Sequence, residues 1–286
     1  MGRIDVEQMP YEEYTNRQLL IVPLVVLGIA LLILVGAYFL TGTPVDLGME
    51  FTGGTQLRFD AQGASGDEVR DQFSGLEVET IRGVGTGSSF LLETQATDTG
   101  EYEQAIEDAG YEIESVESRS ASFGSEAQRE ALVGMVAAFI GMSLLVAIAF
   151  RTFVPSLAVV ASAFSDIVIP VALMNIFGIE LGLGAVAALL MLIGYSVDSD
   201  ILLNNHVLRR HGSFYESTFR AMRTGVSMTI TSIAAMVTMF VVATLFGIPL
   251  LDSIALILVF GLTADLMNTY LLNVSLLRWY KYEGVK

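Results

Sequence analysis

Six long apolar runs divide this chain. Leu19 to Leu40 comes first, and after a polar interval follow Leu132 to Phe150, Phe153 to Phe177, Leu181 to about Val207, Val226 to Leu245 and Leu250 to about Leu277. Each approaches or exceeds the roughly 18–20 residues that cross a bilayer as a helix. The pattern predicts a polytopic α-helical membrane protein with six transmembrane helices, at 19–40, 130–150, 153–177, 181–207, 225–247 and 250–277. Tails at 1–18 and 278–286 and a loop at 208–224 complete the membrane part. The first run is too long for a cleaved signal peptide, and no clean small-residue cleavage site follows it, so it reads as a retained helix.

The interval 41–129 has another character: polar, acidic and punctuated by glycine. Gln56 to Phe59 reads as a strand. Ser65 to Phe73 reads as a helix, with Ser65 as N-cap and Glu68 as its capping-box partner. Glu77 to Ile81 and Ser89 to Thr94 alternate as strands around a Gly83–Gly87 turn. Asp98 to Ala109 is a second helix closed by Gly110, and Tyr111 to Val116 alternates again. The order β-α-β-β-α-β predicts an α+β, ferredoxin-like domain.

Composition adds compartment and surroundings. Hydrophobic residues make up 53% of the 286, and there is no cysteine to supply a disulfide, a thiolate metal ligand or a thiol nucleophile. The net charge is −16, from 31 acids and 15 bases, and of the bases only Lys281 and Lys286 are lysine. An acidic surface poor in lysine suits high salt, where screening removes self-repulsion. The alternative is an acidic domain that attracts cations or basic partners; the acidic tail (Asp5, Glu7, Glu12, Glu13) favours the high-salt reading. Either way, nucleic acid is excluded as a partner. Arg3, Arg17, Arg151, Arg209, Arg210, Arg220, Arg223, Arg278, Lys281 and Lys286 all fall on one side of six spans. Both termini are therefore expected on the cytoplasmic side of the cell (plasma) membrane and the acidic domain outside it. Five arginines in that domain do not oppose this, because long translocated segments are weakly constrained.

Carboxylates interrupt the apolar runs, each at a cost of about 2.5–3.5 kcal/mol on insertion scales. At about 1.5 Å per helical residue, Asp198 lies roughly 16 Å from Arg209, Asp166 roughly 22 Å from Arg151 and Asp265 roughly 20 Å from Arg278. All three reach the middle of a core of about 30 Å. Such acids face bundle interiors and mark proton or ion paths. Each has a structural alternative. Asp166 serves equally as a cap of a span broken before Pro170. Asp200 reads as a structural partner of Asn204 one turn on, and Asp198 stands about 200° round the helix from it. Asp265, with Asn268, Thr269 and Asn273, forms a polar stripe that serves equally as helix–helix glue. Arg223 is a partner for an intramembrane aspartate or simply a basic residue at the cytoplasmic end. Asp252 reads as an interfacial residue near a helix N-terminus. Gly141, Gly182, Gly184 and Gly261 read as close-packing sites.

Gly48-Met49-Glu50-Phe51-Thr52-Gly53-Gly54-Thr55 resembles the G-x-D-F-T-G-G-T signature of the SecD/SecF protein-export membrane proteins. Gly194-Tyr195-Ser196-Val197-Asp198 resembles the family's fourth-span motif, Arg151-Thr152-Phe153 the element before its third span, and Arg223 with Thr229 to Ser232 the start of its fifth. Asp166 matches the aspartate of a third-span His-Asp pair. The short outer domain resembles the SecF branch, and the acidic surface that of halophilic archaea. This chain departs from the pattern at Glu50 for aspartate, Ser165 for histidine, the Asp198-Ser199-Asp200 spacing, and Asp265 where small residues are common.

The resemblance implies half of an RND-like transporter, a vectorial machine that makes no bonds and needs no cofactor. It implies SecD as partner, a SecYE-type translocon alongside, secreted polypeptides as cargo and a proton gradient as drive. It carries Asp198 and Arg223 over as a relay pair, with Asp166, Asp200 and Asp265 as further relay candidates. Three other classes remain. A small-molecule RND exporter usually has two such halves. An intramembrane aspartic protease with Asp166 and Asp198 as dyad would show G-x-G-D, which Gly194–Asp198 lacks. A scaffold of the translocon has no use for three central acids.

Overall fold

The structure, a computed structural model, describes residues 10–96, 98–209 and 213–282. Arg3, Asp5, Glu7, Arg210 and Lys286 lie outside the described residues. Helix α1 (Asn16–Thr41) opens on a capping box, in which the Thr15 hydroxyl accepts the Gln18 amide and the Gln18 side chain accepts the Thr15 amide. It ends where Gly42 turns left-handed. A single-turn helix α2 (Met49–Thr52) leads into strand β1 (Gly54–Asp60), helix α3 (Gly66–Gln72), strands β2 (Thr80–Val84) and β3 (Ser89–Thr94), helix α4 (Gly100–Asp108) and strand β4 (Glu112–Arg119). Long helices α5 (Ala121–Phe150), α6 (Phe153–Phe177), α7 (Leu183–Arg209) and α8 (Phe214–Phe246) follow. The last span is composite: α9 (Pro249–Met267), a π-helical segment (Asn268–Asn273) and α10 (Val274–Tyr282). Among the described residues six helices are long and apolar enough to cross a membrane. They satisfy their own backbone polar groups, as lipid requires.

The small domain has the β-α-β-β-α-β order and a sheet arranged β2-β3-β1-β4 with every neighbouring pair antiparallel. Ser65 and Glu68 form the expected capping box. Strand β2 starts later than the alternation suggested, because Glu77 is engaged by its carbonyl instead: the Tyr102 hydroxyl donates to it at 3.0 Å and that of Thr94 at 2.8 Å. Leu57, Phe59, Leu92, Val69, Phe73 and Ile106 make the core between the sheet and its two helices.

Two helices outrun their apolar stretches. Helix α5 begins at Ala121 because the Ser120 hydroxyl accepts the Phe123 amide at 3.3 Å, and its extra turns dock on α2. Helix α8 begins at Phe214 because Ser213 accepts the Glu216 amide, so most of the expected loop 208–224 is helix. Here Phe214, Thr218 and Ala221 pack inward. In the bundle α6 is central: its apolar window is 61% buried, against 11% for α5 and for α8. The exposed leucines, valines and phenylalanines of α1, α5 and α8 form the belt a bilayer would cover. Gly261 admits Leu192 and Gly184 admits Leu250, whereas nothing approaches Gly141.

The Gly48–Thr55 signature is the joint between domain and bundle. Gly48 donates its amide to the Leu181 carbonyl at 3.0 Å, and Leu181 donates to Asp46 at 2.7 Å. Gly53 has φ +78°, and a Cβ there would meet the Ala121 nitrogen at 2.6 Å. Across the joint, a Cβ added to Gly124 would meet the Phe51 carbonyl oxygen at 2.6 Å. Thr55 is fully buried and donates to the Ala96 carbonyl at 2.7 Å. Gly124→Ala is expected to push α5 off α2 and cost about 1–3 kcal/mol, the usual penalty of overpacking. Thermal unfolding of the purified protein, with the exposed Gly134→Ala as control, measures it.

Candidate functional site

A polar cluster lies inside the apolar bundle, where α6, α7 and the composite last span meet. Asp166 and Asp200 are fully buried and Asp265 is 1% exposed. Each carboxylate is held by short polar side chains of the neighbouring helices. Asp166 accepts from the Ser196 hydroxyl and from the Asn268 amide, both at 2.6 Å. Asp200 accepts on Oδ1 from Asn273 at 2.7 Å and from Thr269 at 2.9 Å. Asp265 accepts on Oδ1 from Ser199 at 2.7 Å and from Thr269 at 3.2 Å. Pro170, inside α6, lacks the N–H that would bond the Asp166 carbonyl, which loosens the helix beside this carboxylate. Buried atoms without a partner among the described residues include Asp200 Oδ2, the Ser162 and Ser165 hydroxyls, both ends of the Asn204 amide, and the Oδ1 atoms of Asn268 and Asn273.

Proton bookkeeping makes this arrangement informative. The Thr269 hydroxyl stands between two carboxylate oxygens but owns one proton. Both contacts are hydrogen bonds only when one carboxyl carries a proton and donates it. The Ser199 hydroxyl is likewise within reach of Asp265, of the Ser196 carbonyl at 2.8 Å and of Thr269 at 3.2 Å. No lysine or arginine among the described residues forms an ion pair with these acids. Three carboxylates that share an uncompensated apolar site repel one another, and binding of a proton or a cation relieves that repulsion. No group of three acid or histidine side chains among the described residues is placed to hold a metal ion.

The sequence candidates divide by helix face. Asp166 sits in mid-helix, so it caps no broken span. Asp200 joins the cluster through Thr269 and Asn273, not through Asn204. The stripe Asp265, Asn268, Thr269 and Asn273 is glue and cluster at once, since its donors are the ones that hold the acids. Asp198 is exposed on the opposite face of α7, together with Gly194 and Tyr195, while Ser196 turns in. Arg223 is exposed on α8, and neither it nor Asp198 makes an ion pair among the described residues. The two are not paired with each other among the described residues, and the helical period turns Asp198 away from the cluster. Ser199 was missed as a participant, although it stands four residues before Leu203 on the inward face.

At the domain end of the bundle a cavity of about 520 Å³ separates the polar sheet face from the helix ends. Arg58, Arg82 and Glu93 line it from the sheet, and Glu50, Glu180 and Asp252 from the bundle. Glu50 of the signature packs its carboxyl against Gly48 and Gly182. Glu180, half-buried between α6 and α7, has its carboxyl pushed up to about 7 by burial; Glu93, Glu79 and Glu50 add repulsion and Arg82 opposes it.

The class of protein is thus defined: a multi-pass helical membrane protein with a buried acidic cluster and a small α+β domain docked on one end. The family model for the C-terminal part of the protein-export membrane protein SecD/SecF matches residues 100–283. A protein-export membrane protein SecF of Haloferax volcanii is 62% identical over 100% of this chain and 99% of its own. One of Haloquadratum walsbyi is 55% identical over the same shares, and one of Pyrococcus furiosus 38% over 95% and 94%. The chain belongs to the SecF family of protein-export membrane proteins. The crystal structure of SecDF, a translocon-associated membrane protein from Thermus, shares the fold with a TM-score of 0.73 at 20% identity. It is matched over 98% of this chain, which spans 40% of that longer one.

Two outcomes follow from the geometry. Asn273→Ala leaves Asp200 short of a donor in an apolar site and is expected to cost about 1–3 kcal/mol. The double variant with Asp200→Ala is expected to cost less than the sum of the two, read by thermal unfolding. For Glu180 the folded state holds the proton more tightly than the ordinary carboxyl near 4.5 does. Stability is therefore highest below that value, falls as pH rises towards about 7, and is level above it. Glu180→Gln is expected to flatten that part of the melting-temperature profile.

Proposed function

We propose that this chain is the SecF-type subunit of a SecD–SecF pair that promotes export of polypeptides across the cell membrane, driven by protons taken up and released by the Asp166–Asp200–Asp265 cluster. The supporting observation is the Thr269 hydroxyl between two carboxylate oxygens, an arrangement that is satisfied only with a bound proton. Proton release recharges the cluster, and the renewed repulsion biases the packing of α7 against the last span between two states. The small domain is ferredoxin-like and extracytoplasmic, with both termini cytoplasmic, as the distribution of basic residues suggests. It works beside a SecYE-type channel on the emerging polypeptide.

SecD is the partner this reading requires. The chain spans 40% of the SecDF chain whose fold it shares, which leaves room for a second half. Asp198 supports the same view. A charge facing lipid at mid-membrane costs about 2.5–3.5 kcal/mol, so its exposed position suits a face covered by protein. There it serves the relay across the SecD boundary, with Arg223 exposed on α8 rather than paired with it. A small-molecule exporter would be found with its drug-type partner half; co-purification with SecD distinguishes the two.

In cells that depend on this protein, Asp166→Asn and Asp200→Asn are each expected to reduce secretion of a Sec substrate at least tenfold, about 1.4 kcal/mol in an effective barrier. Membrane levels of the protein should stay normal. Asp198→Asn separates the cluster from the partner face. Normal secretion in all three variants would leave a scaffold role without an ion path.

A further inference from the structure

The last span abandons the α-helix where it supplies the donors of the cluster. Over Asn268–Asn273 the backbone is π-helical, and three of these six residues hold acids: Asn268 on Asp166, Thr269 on Asp200 and Asp265, and Asn273 on Asp200. A π turn amounts to one residue inserted into an α ladder, and such turns recur at functional sites. Its return to α geometry would rotate everything beyond it by about 100°, the angle of one residue. Asn268 and Asn273, five residues apart, would stand about 140° round an α-helix from each other, and the wide turn brings both onto the cluster.

A segment far away in sequence reaches this turn. Tyr11, ahead of α1, is 3% exposed, and its hydroxyl donates to the Tyr270 carbonyl at 3.0 Å, in the middle of the π segment. The Tyr11 hydroxyl thus brings a donor from outside the helix to a carbonyl within the wide turn. Tyr11 is itself clamped from beyond the turn. Arg278 of α10, 8% exposed, donates to the Tyr11 carbonyl at 2.7 Å, to the Tyr14 carbonyl at 2.8 Å and to the Asn16 side chain. Tyr270 is steadied from α8, where Gly225 leaves the space its hydroxyl end fills. The N-terminal segment thus forms a strap that bridges the π turn to the helix after it.

We infer that Tyr11 is a positioning residue, whose bond to the Tyr270 carbonyl holds the π turn that sets Asn268 on Asp166 and Asn273 on Asp200. The inference rests on Asp200 as a working group of the cluster, but its geometry stands apart from export. Tyr11→Phe keeps the ring and removes only the hydroxyl. In the full-length protein in lipid nanodiscs, amide exchange over 268–276 is expected to rise about tenfold, the equivalent of one buried hydrogen bond. The infrared carboxyl band that Asp200→Asn deletes is expected to shift in frequency, while exchange in the outer domain stays unchanged. Arg278→Lys keeps the charge but loses the fork, and should give the same local signature in weaker form; it decides the matter if Tyr11→Phe does not assemble. An unmoved Asp200 band, or exchange that rises equally throughout the bundle, would overturn the assignment. Both readouts are taken without a secretion assay, so absence of ion coupling in cells would leave them intact and would count against the proposed function alone.

Discussion

Three carboxylates inside an apolar bundle are the constraint on which the rest of the membrane part depends. Hydrocarbon supplies no donors, so every proton donated to these acids must come from the protein, and most come from a neighbouring helix. Ser196 and Ser199 on α7 and Asn268, Thr269 and Asn273 on the last span meet that need. The helices are thereby tied at fixed register, and the bundle cannot slide without breaking several bonds at once. The supply is nevertheless short: Asp200 Oδ2 and several amide oxygens remain without a partner among the described residues. A site that is nearly satisfied, and more nearly so with a proton than without, is suited to change state.

The same last span links that site to the small domain. Helix α9 starts beside Gly247, whose carbonyl accepts from Arg58 of the sheet at 2.9 Å, and ends beside Asp265. A shift of α9 at the cluster is therefore felt at the domain joint. Other contacts there include close backbone approaches at Gly53, Gly85 and Gly124 and the Thr86–Leu245 and Gly48–Leu181 hydrogen bonds. These leave the polar sheet face over a cavity rather than packed on the helix ends. A domain held at its rim over a cavity tilts at lower cost than one packed over its whole face.

How far the candidate site was legible follows from the kind of signal each residue carries. Asp166 and Asp265 stand out because a charge in an apolar run is costly wherever it points. Asp200 and Asp198 stand out equally, and the helical period shows that they face apart, but not which of the two faces inward. That choice depends on which side of α7 meets α6 and α9. The role of the Asn268–Asn273 stripe was ambiguous for a similar reason: donors that glue helices and donors that hold an acid are the same residues seen from two partners. The π turn left no legible mark, since Asn268, Thr269 and Asn273 read equally as a polar stripe on an α-helix and the widening is held by Tyr11 from the other end of the chain.

The sequence by itself determined six spans, the split β-α-β-β-α-β order of the small domain, its capping box and the family signature. These depend on length, period and local hydrogen bonds, which neighbouring residues settle among themselves. Tertiary structure decided which acids share a site, where the signature binds the domain to the bundle, and that α5 and α8 extend beyond their apolar stretches. It also decided that Asp198 and Arg223 face away from the cluster. Each of these depends on helices brought together from distant parts of the chain. The physical reason is that a buried charge is stabilised by donors from other elements, and those donors have no fixed sequence distance from it.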